Sequence, residues 1–312
     1  MQNILLTIAI AIPLLAAAQS EQFTYQGSTL PLQSHTFECE KVSDLQGVPG
    51  ETYQGLDAWG DYLVSLQNHG WATVYSYNGL ELAKCGQFQL GSHGEANHAN
   101  VASFTGQFYA KGDRFPLLLV SQANKTPDQG MKDVAYVERI SNNMKNSTLV
   151  AIINFKDVNH LCGYALQWVA DHEHGYLYGF ANTVSNRGEG NQHRVLKFRM
   201  PQLPKSGKKG KVAVINLTER NLLENYLLED TYTGYVNRTG QGLLIKNGRL
   251  IMPVGTGRPS DSSLLYVWDL NRHHMANVID LSTSTQGELE DCTVSDGKLF
   301  LQTQGALYKI TF

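Results

Sequence analysis

Two glutamates two residues apart, Glu288 and Glu290, carry the sharpest chemistry in this 312-residue chain. In an extended segment residues i and i+2 share a face, so both carboxyls point the same way. Such a pair can hold Ca²⁺ or another divalent cation through oxygen. It can also divide into a general acid and a general base, which makes Glu288, Glu290 and His98 the catalytic candidates. Asp291 follows directly. A second polar concentration, Glu95-Ala96-Asn97-His98-Ala99-Asn100, suits sugar hydroxyls or a metal, and it equally suits a loop whose side chains bond their own backbone. His160, just before Leu161-Cys162-Gly163, is a candidate to face His98. Gln54, Asp57 and Gln241 complete the set of candidate ligand-binding residues.

Other constellations fall short of a site. His172-Glu173-His174 has the spacing of metal ligands, and His273-His274 is a histidine pair, but both sit at turns and read as exposed turn residues. Ser65, Ser103 and Ser121 lie in strand-like runs without the strand–turn–helix context of a nucleophile elbow. Gly188-Glu189-Gly190 and Gly255-Thr256-Gly257 lack the following helix that a phosphate-binding loop needs. The lysine-rich stretch from Lys205 to Lys211 reads as a solvated hairpin tip.

The elements that must position these residues are short strands. The last stretch shows the unit. An alternating run from Leu289 to Val294 meets Asp296-Gly297, a preferred type I′ hairpin turn. Lys298 to Gln302 follows, then Ala306 to Phe312. The turn between first and second strand recurs as Gly60-Asp61-Tyr62-Leu63, His174-Gly175-Tyr176-Leu177 and Asn247-Gly248-Arg249-Leu250. Unit openings rhyme too, Gln54-Gly55-Leu56 with Gln241-Gly242-Leu243. Units are expected near 54–90, 100–155, 164–217, 241–281 and 287–312. The spacing predicts one short helix, Thr218 to Leu228, with Thr218 as its N-cap. Trp59, Trp71, Trp168 and Trp268 recur within apolar alternations, which favours packing between units over a sugar-stacking rim.

Repeated four-strand meanders of this kind resemble the blades of a β-propeller, and the resemblance covers roughly residues 50–312. It is nearest the exported propellers of the broad lactonase and YncE-like class. The resemblance implies an all-β ring in which each blade's first strand lines a central channel, and it carries no residue-level activity. WD40 and kelch signatures are absent. The last unit offers three strands before Phe312, so the segment 21–50 is expected to supply the fourth and close the ring. Five blades are predicted; a sixth, degenerate blade from 215–240 is the alternative.

Composition narrows the function classes. A formal charge of -3 and no long charged run give no reason to expect nucleic acid as a partner. Ile4 to Ala18 is almost wholly apolar and ends in Ala16-Ala17-Ala18, the pattern of a secretory signal over residues 1–20, cleaved or retained as an anchor. No other stretch could cross a bilayer. The mature chain, 21–312, is expected to be a single-domain secreted or extracytoplasmic monomer. Cys39, Cys85, Cys162 and Cys292 include no C-x-x-C pair, and their disulfide state is open. Sequons stand at Asn124, Asn146, Asn216 and Asn237. Two readings of function remain. One is a non-catalytic protein that binds a small molecule, glycan or protein at its channel face. The other is a metal-assisted hydrolase or lactonase, or a glycan-active enzyme, using the channel-mouth carboxylates and histidines.

Overall fold

The computed structural model describes residues 22–25, 28–31, 37–123, 126–184, 191–206, 211–228 and 239–312. The expected signal segment and the sequons at Asn124 and Asn237 lie outside them.

A hairpin of β1 (Gln22–Tyr25) and β2 (Ser28–Pro31) precedes β3 (Glu38–Asp44). Blade 1 is the meander β4 (Tyr53–Trp59), β5 (Tyr62–Gln67), β6 (Trp71–Tyr77) and β7 (Leu82–Gln89). Blade 2 runs β8 (Ala102–Phe104), β9 (Leu118–Ser121), β10 (Ala135–Ile140) and β11 (Ser147–Lys156). Blade 3 begins with β12 (Tyr164–Asp171), β13 (Tyr176–Asn182) and β14 (His193–Arg199). The chain then forms β15 (Ala213–Thr218) and β16 (Leu222–Leu227). Blade 4 is β17 (Leu244–Lys246), β18 (Arg249–Val254), β19 (Leu264–Asp269) and β20 (His274–Asp280). Blade 5 is β21 (Leu289–Ser295), β22 (Lys298–Thr303), β23 (Ala306–Thr311) and, as its outer strand, β3.

The chain is therefore a five-bladed β-propeller, and the six-blade alternative is overturned because β15 and β16 join the sheets of blades 2 and 3. Ring closure is antiparallel, with Ile310 opposite Cys39 and Lys309 opposite Glu40. The inner strands β4, β8, β12, β17 and β21 each touch the next, completing a circle. Alternation and turn chemistry explain the hairpins. Asn247-Gly248 and Asp296-Gly297 both hold two successive residues at positive φ, as the type I′ turn requires. Apolar residues fill the seams between blades, with Trp168 and Trp268 fully buried.

Two expectations about 212–228 are corrected. The unit bounds 164–217 place the strand before Thr218 in the third unit; instead β15 pairs in parallel with β11 and becomes a fifth strand of blade 2. The predicted helix is absent. A single 3-10 turn, Glu219–Asn221, is closed by the side chains of Thr218 and Asn221. Beyond it β16 runs antiparallel to β14 and completes blade 3. The leucines that suggest a helical face also fit a strand with period 2, since Leu222, Glu224 and Tyr226 alternate with Leu223, Asn225 and Leu227. An open blade edge decides for the strand. The chain thus crosses from blade 3 to blade 2 and back, clasping the two together.

Candidate functional site

Connections between blades and the hairpins joining second to third strands emerge on one face of the ring. Most of the residues singled out above come to that face or to the inner strands beneath it.

The amide and carboxyl side chains at the blade openings form a hydrogen-bonded belt. Asn100 of blade 2 accepts from Gln167 Nε2 of blade 3, which also donates to the Gln241 carbonyl of blade 4 at 2.8 Å. Gln241 Nε2 donates to Glu288 of blade 5 at 2.7 Å. Glu290 accepts from Gln304 Nε2, and the Gln304 amide exchanges bonds with the Tyr53 backbone of blade 1 at 3.1 and 3.2 Å. Gly55 N–H donates to the Ala99 carbonyl at 3.0 Å, returning the belt to blade 2. All five blades take part. Gln54, Asn100, Gln167, Gln241, Glu290 and Gln302 are buried, and Glu288 is half-buried.

The rhyming glycines have a physical reason. A Cβ on Gly242 would lie 1.8 Å from Asp291 Oδ1, and one on Gly55 would lie 2.6 Å from the Ala102 nitrogen. Only a residue without a side chain lets these strands approach the axis.

Asp57 and Asp291 are placed differently from Glu288. Asp291 is buried beneath the belt and Asp57 half-buried, with their oxygens engaged by the chain itself. Asp291 accepts from the backbone N–H of Leu56 at 2.8 Å, Ala102 at 3.2 Å and Cys292 at 2.9 Å. Asp57 accepts from Phe104 N at 2.6 Å, Ala58 N at 2.7 Å and Thr293 Oγ1 at 2.7 Å. Burial pushes both carboxyls above the usual range, against the pull of these donors. They join blades 5, 1 and 2. Glu290 is also held well above the usual carboxylate range, first by burial and then by the neighbouring Glu288.

A second group lies on the same face beside blade 1. His69 Nδ1 is 2.9 Å from Glu51, and its Nε2 is 3.4 Å from the exposed Glu95. His98 Nδ1 is 3.1 Å from Asn68 Oδ1, a pairing in which the ring donates. Burial, and then His69, lower the His98 pKa. Asn97 braces its own loop, donating to the Ser92 carbonyl at 3.2 Å and accepting from Ala99 N at 2.9 Å. His160 goes elsewhere. It lines a groove of about 300 Å³ between blades 2 and 3 with Asp133 and Cys162. Asp133, pushed up to about 6 by burial, and His160 both take left-handed backbone conformations. Burial raises Cys162 to about 12.

Three further histidines have local contacts. His174 pairs with Asp171 at 2.9 Å, His172 packs edge-on against Trp59, and His273 stacks on Tyr226 at 3.6 Å. Among the described residues no group of three or more His, Cys, Asp or Glu is arranged to hold a metal. The described cysteines are free thiols. No helix among the described residues is long and apolar enough to cross a membrane.

Sequence reasoning missed Glu51, His69, Gln167, Gln302 and Gln304. Gln167 was within reach, because it stands at a blade opening as Gln54 and Gln241 do. Gln302 and Gln304 carry no such signal; they look like the solvent side of an alternating strand and its turn.

No protein-family model and no curated protein matches the chain. Solved structures do. Glutaminyl cyclase from Myxococcus xanthus is similar at 11% identity with a TM-score of 0.49, over 87% of this chain and 95% of that one. A structural-genomics protein of unknown function from Bacteroides thetaiotaomicron is similar at 11% identity and TM-score 0.46, over 88% and 76%. A chain of a nidogen/laminin complex is similar at 11% identity and TM-score 0.41, over 90% and 84%.

Proposed function

We propose that this chain is an exported, monomeric β-propeller that binds a polar ligand rich in hydroxyl or amide groups, a glycan end above all, at the mouth of its ring. The observation that carries this reading is the belt of Asn100, Gln167, Gln241, Glu288, Glu290 and Gln304, side chains of blades 2 to 5 tied to blade 1 through the Tyr53 backbone. A side-chain amide offers both donors and acceptors, so a mouth lined by amides matches sugar hydroxyls in either sense. The apolar segment Ile4 to Ala18 supports export. The test is a titration of the purified chain with a panel of oligosaccharides and short peptides, repeated on Gln241→Ala. A ligand whose affinity falls about tenfold in the variant, the worth of one or two buried hydrogen bonds, supports the reading. A panel that yields no binding, or binding indifferent to Gln241, removes it.

One observation favours catalysis as a second reading. Glu288 and Glu290 lie side by side at the mouth, each held by an amide, Gln241 and Gln304. Two positioned carboxyls are what acid–base hydrolysis of a glycoside or lactone uses. Turnover of aryl glycosides or lactones that Glu290→Gln abolishes, with thermal stability unchanged, would favour this reading over simple binding.

A further inference from the structure

A groove of about 760 Å³ opens between blades 2 and 3. It is lined by Tyr109, in the connection from β8 to β9, which leaves the ring on the face opposite the mouth. Its floor is apolar, made by Leu149 at the start of β11, Leu203, and Ala213 and Ile215 of β15. Tyr109, Ala213 and Ile215 pack against the core between the two blades yet are only half-buried, so part of each faces the groove. The opposite wall is the segment 200–206, and hydrogen bonds pin it. Leu203 N–H donates to Gln107 Oε1 at 3.0 Å, Gln107 Nε2 donates to the Pro201 carbonyl at 2.9 Å, and Ser206 N–H donates to the Tyr109 carbonyl at 2.8 Å. The groove is thus preformed, and its volume suits a drug-sized molecule.

The rim carries the opposite chemistry. Lys205 and Lys211 line the groove. Past Tyr109, Lys205 and Ser206 it continues into a second depression of about 570 Å³, lined by Lys111. No acidic side chain among the described residues pairs with Lys111, Lys205 or Lys211. The acid in the lining, Asp113, is already held by Arg139 at 2.6 and 3.0 Å. Along the sequence, 205–211 holds four lysines and no acid. An apolar slot that ends in such cations matches a molecule apolar along its length and anionic at one end. A neutral hydrocarbon would leave the lysines unused, and a compact anion such as phosphate would leave the apolar floor in water.

We propose that this groove binds a long-chain carboxylate, a fatty-acid anion, with its chain along Leu149, Leu203 and Ile215 and its carboxylate at Lys205 and Lys211. The site lies apart from the belt at the mouth and stands independently of the glycan reading. A bound chain spans β11, β15 and the wall 200–206, and so reinforces the clasp that joins blades 2 and 3.

The test titrates the full chain calorimetrically with octanoate, decanoate and dodecanoate below their micelle concentrations, with decanol and inorganic phosphate as controls. Affinity should rise about fourfold for each added methylene, the worth of its burial, and dodecanoate should raise the melting temperature. Decanol should bind more weakly than decanoate, and phosphate should not bind. Lys205 and Lys211 are exposed, so the double variant Lys205→Glu/Lys211→Glu should keep the ligand-free melting temperature while its dodecanoate affinity falls about tenfold. A fatty acid carrying a diazirine on its chain gives a readout independent of any variant, and it should cross-link the wild-type chain within 148–150 or 212–215. Affinity indifferent to chain length, decanol binding as tightly as decanoate, binding unaltered in the double variant, or cross-links confined to other segments would each overturn the proposal. Sedimentation with phosphatidylglycerol vesicles without uptake of free dodecanoate would overturn it in favour of a membrane surface.

Discussion

Asp291 and Leu56 are 235 positions apart in the chain, yet the Asp291 carboxylate accepts the Leu56 backbone N–H at 2.8 Å. The same oxygen accepts from Ala102 at 3.2 Å. One side chain of the last blade therefore satisfies backbone donors on the first and second. Ring closure rests on this inner lock as well as on the outer strand β3.

Asp291→Ala should destabilise the chain by about 3 kcal/mol, because it strands the buried N–H groups of Leu56, Ala102 and Cys292. Asp291→Asn keeps an acceptor oxygen and should cost clearly less. Urea unfolding curves of the two variants check the order. Equal losses would mean that shape, and not the acceptor, is what matters.

Gly242→Ala places a methyl group where Asp291 Oδ1 now sits. Overpacking of this kind costs about 1–3 kcal/mol, and here it must also push Asp291 off Leu56. The variant should lose at least as much stability as Asp291→Ala, and the double variant should lose less than the sum of the two. A double-mutant cycle measures that coupling.

Asp133 gives a pH dependence with a defined sign. Burial raises its folded pKa to about 6, with Lys132 and the Leu166 N–H opposing, against about 3.9 in the unfolded chain. Between those values the folded state holds a proton that the unfolded state has lost. Its contribution to stability is therefore fully present below about pH 4 and is lost as pH rises through 6, on the order of 3 kcal/mol in total. Asp133→Asn should stabilise the chain at pH 7.5 and remove this slope, since asparagine tolerates the left-handed backbone at 133. Denaturant midpoints of both proteins from pH 4 to 8 test it.

Removing residues 21–45 deletes β3 and leaves β23, Ala306–Thr311, as an open edge. The shortened chain should melt at least about 10 °C lower and associate through that edge. Melting curves and size-exclusion profiles at several concentrations would reveal both. A monomer of unchanged stability would show that the closing strand is dispensable.

Much of the fold was legible in the sequence because strands and hairpins are local. Alternation with period 2 marks β4 to β7 and β21 to β23. Asn247-Gly248 and Asp296-Gly297 demand their turns by backbone chemistry alone. Counting three strands in the last unit also foretold that an N-terminal strand would close the ring. Whether a run of leucines becomes helix or strand was not local. Leu222 to Leu227 satisfies both periods, and the free edge of β14 chose between them. The partner of β15 was likewise undetermined, since pairing with β11 depends on where the blades stand in space.

The same division holds for the site. The sequence by itself determined which residues open four of the blades: Gln54, Asn100, Gln241, Glu288 and Glu290. Only the tertiary structure decided what each one faces. It sends Asp57 and Asp291 inward to cap strands of other blades, sends His160 to a separate groove, and brings Gln167, Gln302 and Gln304 into the mouth from positions that read as ordinary polar alternation. The physical reason is that a side chain's direction follows from its own strand, whereas its environment is set by the neighbouring blade. In a ring closed between residues more than two hundred positions apart, no local pattern records that neighbour.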